Sequence, residues 1–125
     1  MNILLIEADK VLGESSVNVL EAAGFKVTWK RSAQTGLDAL DDYLPDIILL
    51  EIQLGNHNGI EFLYEINSYP EWQRVPIIIH TINPKAQDEI FKEAFKQLGV
   101  RDILYKPRTS TVQLVRTVKK YVLVK

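Results

Sequence analysis

No cysteine occurs in the 125 residues, so disulfides, thiolate metal sites and cysteine nucleophiles are all excluded. Two isolated histidines, His57 and His80, do not make a metal site. With a net charge of −1 the chain is no globally basic nucleic-acid binder, and no helix-turn-helix element stands out. Long apolar runs are missing as well: Asn2–Ile6 stops at Glu7, too short for a membrane span or a signal peptide. The first strand is followed by EADKVLGES, which lacks the Gly- or Ser/Thr-rich phosphate loop of a cofactor binder. A hydrolase would need a nucleophile beside a base, and none is visible. At 46% hydrophobic and 25% charged, the sequence reads as one soluble, cytoplasmic domain over residues 1–125, large enough for a real core and not an enzyme.

Charge of one sign is missing locally. All sixteen acidic residues lie in Met1–Asp102 against nine basic ones, a balance of −7, whereas Ile103–Lys125 carries six basic residues and no acid. Two readings are open: a solvated helix face with cations near its C-terminus, which the helix dipole favours, and a docking surface for an acidic partner.

What is present is organised around Asp46–Gly59, DIILLEIQLGNHNG. The run Ile47–Leu50 reads as a strand buried on both faces. It ends in a carboxylate, Glu51, and passes into a Gly/Asn loop. Around it, five strand-like segments alternate with five helix-like ones. The strands are expected at Asn2–Ile6, Phe25–Trp29, Ile47–Leu50, Val75–Thr81 and Asp102–Leu104. The first helix is capped by Asp9, turns Leu12, Ser16, Val19 and Ala23 inward, and ends at Gly24. Ser32 caps the second, and Pro45 follows it. The third is Ile60–Asn67, with Phe62, Leu63 and Ile66 inside. Asn83–Pro84 opens the fourth, with Ile90, Phe91, Ala94, Phe95 and Leu98 on its inner stripe and Gly99 at its end. Thr109 caps the last, where Val112, Val115, Val118 and Val122 face inward. Trp29 is expected to pack, Trp72 to cover the surface, and His80 to be a core histidine.

Strict βα alternation implies a parallel sheet with helices on both faces. Ligands of such sheets bind at the carboxyl edge. Four strand ends deliver Glu7 and Asp9, Glu51, Thr81, and Tyr105–Lys106–Pro107 to that edge.

In order and spacing, ILLIEAD, PDIILLE with Gly59 eight residues past the acid, VPIIIHT, and Lys106–Pro107 resemble a response-regulator receiver domain of the CheY-like superfamily across the whole chain. The resemblance implies a doubly wound, flavodoxin-like (βα)5 fold with strand order 2-1-3-4-5. It also implies a place in a two-component or phosphorelay signalling system. It maps Glu7 onto the first metal-binding acid, Glu51 onto the phosphoacceptor aspartate, Thr81 onto the switch hydroxyl and Lys106 onto the phosphate-pocket lysine. Several positions depart from the family pattern. Ala8 replaces the second acid, Ile82 follows the hydroxyl, and Ile103 replaces the switch aromatic. The stretch from Thr81 to Lys106 is about one helical turn long of the usual.

These departures strike the chemistry and spare the scaffold. Phosphoryl transfer relies on positioning and on cationic neutralisation of charge. Ala8 removes a hard oxygen ligand, so Mg2+ binding is expected to be weak or lost. Glutamate carries its carboxylate about 1.5 Å farther out than aspartate, and misplacement costs on the order of 100-fold per ångström. Two readings of Glu51 stay open, a mimic of the phosphorylated state and a structural ion pair with Lys106. The expected function is a pseudo-receiver, a phosphorylation-independent protein-interaction module. Its alternatives are a phosphorelay receiver with a degenerate site and the N-terminal regulatory domain of a longer transcriptional regulator. Expected partners are a histidine kinase or downstream signalling protein, with no nucleic acid and no membrane. Asp102 and Arg116 match an acid–arginine pair of receivers that dimerise through the fourth helix, fifth strand and fifth helix, although Val112 departs from that pattern. Together with Lys119 and Lys120 they mark a weak homodimer face.

Overall fold

The computed structural model describes residues 1–55 and 57–122. The main sheet contains β1 (Asn2–Ile6), β2 (Lys26–Lys30), β3 (Ile47–Leu50), β4 (Ile77–Thr81) and β5 (Val100–Tyr105). Its order is β2-β1-β3-β4-β5, and every neighbouring pair is parallel, as the alternation predicts. Between β4 and β5 the partner of the ladder steps from Val100 to Asp102, inserting Arg101 as a bulge. A two-residue antiparallel ladder, Gln53–Leu54 with His57–Asn58, closes the loop after β3.

Helix starts follow cap chemistry. Asp9 accepts from Leu12 N at 2.9 Å and opens α1 (Lys10–Ala22). Ser32 and Thr35 form a reciprocal capping box at α2 (Ala33–Asp42). α3 spans Ile60–Asn67 and buries Phe62, Leu63 and Ile66. Gly24 and Gly99, at φ 98° and 88°, terminate helices in the left-handed region that favours glycine.

Two starts differ from expectation. Asn83–Pro84 opens only a 3-10 turn, Pro84–Gln87. Asp88 then restarts the chain as the N-cap of α4 (Glu89–Gln97), accepting from Ile90 N at 2.7 Å. This start fixes the rotation of α4: Phe95 is buried, and Phe91 and Leu98 are half-buried. Ile90 is 83% exposed and Ala94 lies outside the expected stripe. Ser110, not Thr109, opens α5 (Thr111–Val122): its Oγ accepts from Gln113 N at 3.1 Å, and its N–H donates to Gln113 Oε1 at 2.8 Å. The inward row is therefore Leu114, Val118 and Val122, while Val115 is only half-buried and Val112 is 62% exposed. In α1 the buried row is Gly13, Ser16 and Leu20, with Leu12, Val19 and Ala23 at its margins.

The sheet separates two apolar layers. One joins Leu4, Ile6, Ile48 and Leu50 to α2, α3 and Phe95. The other joins Ile3, Leu5, Ile47 and Leu49 to Leu20 of α1 and to Leu114 and Val118 of α5. All four β3 residues are fully buried between them, as a strand covered on both faces requires. Trp72 belongs to the first layer, buried against Tyr69 with ring centroids 4.4 Å apart, and so is core rather than cover. Trp29 sits half-buried over Gly13, where a Cβ would overlap its ring, and its indole N–H donates to the Glu7 carbonyl at 2.9 Å.

Candidate functional site

Parallel strands all point their carboxyl ends the same way, so β1, β3, β4 and β5 deliver their terminal side chains to one edge. There Glu7, just past β1, and Glu51, just past β3, are 3% and 2% exposed. The Lys106 ammonium, arriving from the end of β5, donates to Glu51 Oε1 at 3.0 Å and also to Glu7 Oε1. Backbone amides supply the other donors. Ile82 N reaches Glu51 Oε1 at 2.9 Å, Gln53 N reaches Glu51 Oε2 at 3.0 Å, and Asp9 N reaches Glu7 Oε2 at 3.2 Å. Two buried carboxylates thus share one cation and three N–H groups, which is how buried charge becomes tolerable. Among the described residues, no buried side-chain nitrogen or oxygen lacks a partner.

The Glu51–Lys106 pair expected from the strand ends is present. The pairing of Lys106 with Glu7 was missed, although two acids and one base at a single edge already signalled a shared ammonium. The amides of Ile82 and Gln53 were missed because side-chain patterns carry no record of where N–H groups point. Thr81 is fully buried at the same edge, but its Oγ1 accepts from Asn83 N at 3.1 Å rather than meeting Glu51. Asp9 is a correction. Its carboxylate is exposed and committed to capping α1, and it contributes only its backbone N–H to the cluster. The side chain of His57 lies outside the described residues.

The divalent cation implied for this edge does not suit the groups present. The Lys106 ammonium is bonded to both buried carboxylates, and Asp9 is turned to the helix. Position 8 offers only a carbonyl, which accepts from Arg31 Nε at 3.0 Å and from its terminal Nη2 at 2.8 Å. His80, buried on β4, is lowered to a pKa of about 4: burial disfavours its charged form, and Lys106 adds to the effect while Glu51 opposes it. It is a neutral core histidine at physiological pH.

A second feature lies on the flank formed by α4, β5 and α5. Lys92, Ile103, Tyr105, Arg108 and Arg116 line a groove of about 320 Å³. Asp102 accepts from Tyr121 Oη at 3.3 Å and from Ile103 N at 2.9 Å, while Arg116, Lys119 and Lys120 remain exposed. Among the described residues no helix is long and apolar enough to cross a membrane.

Comparison with known proteins agrees with this fold. The family described as the response regulator receiver domain matches residues 3–119. The polar-differentiation response regulator DivK of Brucella ovis is 27% identical over 96% of this chain and 94% of its own. KdpE of Escherichia coli K12, the KDP operon transcriptional regulatory protein, is 29% identical over 85% of this chain and 44% of its own. The crystal structure of a putative response regulator from Chloroflexus aurantiacus J-10-fl superposes with a TM-score of 0.86 at 25% identity, covering 98% of this chain and 97% of that one.

Proposed function

Since the chain belongs to the response regulator receiver domain family of two-component signalling, we propose that it is a pseudo-receiver, working as a phosphorylation-independent protein-interaction module. Receiver domains are signalling modules that interact with kinases and other signalling proteins, not enzymes in the usual sense. The observation that carries the reading is the Lys106 ammonium held between Glu51 and Glu7. Phosphoryl transfer needs an acceptor oxygen free to attack and a cation to neutralise the spreading charge. Here Oε1 of Glu51 accepts from Lys106 and Ile82 N, and Oε2 accepts from Gln53 N. Ala8 supplies no carboxylate, so Mg2+ binds weakly or not at all.

Glu51 under this reading is a built-in stand-in for the phosphorylated aspartate, with Lys106 on its carboxylate as it would be on the phosphoryl group. The partner-facing side is α4, β5 and α5, which meets a histidine kinase or a downstream signalling protein. A two-fold contact through the same face would set Arg116, Lys119 and Lys120 against acids of α4. Two of those acids have prior engagements: Asp88 caps its own helix, and Glu89 pairs with Lys92 at 3.7 Å.

Acetyl phosphate or beryllofluoride, each with Mg2+, tests the reading by NMR. The amide resonances around Glu51, Thr81 and Lys106 are expected to stay in place and the intact mass to remain unchanged. A shift at those three positions, or an added phosphoryl group, overturns it. The match to less than half of KdpE favours a second reading, in which this receiver is the regulatory part of a longer transcriptional regulator. The mass of the native protein on an immunoblot decides that point.

A further inference from the structure

The helix pair α2–α3 and the outer face of α5 lie on opposite sides of the sheet, and each presents what the other lacks. Between α2 and α3 opens a groove of about 500 Å³, floored by Ala33, Leu37, Leu54 and Phe62 and rimmed by Glu61 and Glu65. No lysine or arginine occurs from residue 33 to residue 73, a stretch with eight acids. The outer face of α5 is its opposite. Val112, Arg116, Lys119 and Lys120 are all exposed and follow one another at helical spacing, so they form a single stripe of one apolar residue and three cations.

Spacing matches as well as sign. Glu61 and Glu65 are one helical turn apart, as are Arg116 and Lys120, and residues so spaced lie about 5–6 Å apart on a helix surface. An α5 laid along α3 therefore forms both ion pairs at once. Val112, one turn before Arg116, then reaches the apolar floor. The ammonium of Lys120 lies 5.2 Å from the Tyr121 ring centroid, an exposed contact too weak to withhold it. Within one molecule the two surfaces cannot meet: α2 and α3 pack on one apolar layer and α5 on the other.

We propose that the α2–α3 groove receives α5 of a second copy, so that the protein self-associates head to tail. This rests on the reading of α5 as the partner-facing side and names its occupant. The contact is heterologous: each copy keeps one groove and one stripe free, so association continues into rings or open chains rather than stopping at a two-fold dimer. Exposed pairs are individually weak and screened by salt, and the association shares both properties.

Sedimentation of two charge-reversed variants is the test, Glu61→Lys/Glu65→Lys and Arg116→Glu/Lys120→Glu. All four positions are exposed, and Glu61→Gln/Glu65→Gln serves as a milder second form of the first. Wild type is expected to gain mass with concentration at low salt and to fall back towards monomer when the screening length is cut to about 3 Å. Each reversed variant alone is expected to stay monomeric. Their equimolar mixture is expected to associate and grow again, because intact groove meets intact stripe and the reversed groove and reversed stripe are also opposite in charge. The milder Glu61→Gln/Glu65→Gln form mixed with the base-reversed variant leaves one working contact and is expected to stop at a one-to-one dimer. If the acid-reversed variants self-associate as wild type does while the base-reversed one does not, the head-to-tail contact is wrong and a two-fold contact through α4, β5 and α5 stands. A wild type that is monomeric at low salt, or a mixture that stays monomeric, also overturns the proposal. Neither result touches the phosphodonor outcome.

Discussion

The carboxyl edge of the sheet and the outer surface of α4 and α5 are built on opposite terms. At the edge, Glu7, Glu51 and Lys106 are nearly inaccessible, and their donors and acceptors meet one another. On the outer surface, Ile90 and Val112 face solvent beside exposed Arg116, Lys119 and Lys120. The edge is committed to a single arrangement, because moving any member strands a buried charge. The helices hold their polar and apolar groups available. The contrast is what the pseudo-receiver proposal rests on: a buried, mutually bonded edge beside a surface whose groups stay accessible.

The sharpest way to break this contrast is Lys106→Ala. It leaves two buried carboxylates without their cation, and removal of one partner from such a cluster costs about 3–5 kcal/mol. Equilibrium denaturation at neutral pH measures it. A loss below about 1 kcal/mol would mean the cluster is solvated, like an ordinary surface pair. Next in size is the pH response of His80. Its pKa in the folded protein, about 4, lies below the ordinary 6.5, so the unfolded chain binds the proton first and stability falls as pH drops from 6.5 to about 4. At about 1.36 kcal/mol per pH unit this amounts to roughly 3 kcal/mol, fully present above pH 6.5. Denaturation midpoints across that window test it, and His80→Asn should flatten the slope; an unchanged slope would place the titration elsewhere.

On the outer surface the expected effects shrink. Ser110→Ala removes the α5 cap and should cost about 1 kcal/mol, more than Thr109→Ala; the reverse order would restore Thr109 as the cap. Smallest of all, Ile90→Ser and Val112→Ser should each change stability by less than about 0.5 kcal/mol. A larger loss at either position would show that the side chain is packed after all, and the contrast would fail.

The legible parts of the fold were those governed by short-range rules. Ile47–Leu50 announces a doubly covered strand, and Ile60–Asn67 an amphipathic helix with Phe62, Leu63 and Ile66 inside. Strand order and the carboxyl-edge position of Glu7, Glu51, Thr81 and Lys106 followed from alternation and family resemblance. The rotation of α4 and α5 was harder to read because a helix's inner row depends on where it begins. Moving the start from Asn83 to Asp88 puts Ile90 outside, and moving the cap from Thr109 to Ser110 goes with an inner row at Leu114, Val118 and Val122. Asp9 had two readings, cap and pocket acid, and one carboxylate could satisfy only one of them. Leu12 N, three residues away on the same chain, needed no folding to find, so the cap prevailed.

The placement of Trp29 also gives the protein a reporter of its own. Of the two indoles, Trp72 is enclosed in the core, whereas Trp29 is half-exposed and tied by its N–H to the carbonyl of Glu7. The red, iodide-quenchable part of the intrinsic fluorescence therefore belongs to Trp29. Any rearrangement of the strand end that carries Glu7 is visible in that emission without a label. The edge that holds Glu7, Glu51 and Lys106 is in this way the edge whose state is simplest to watch.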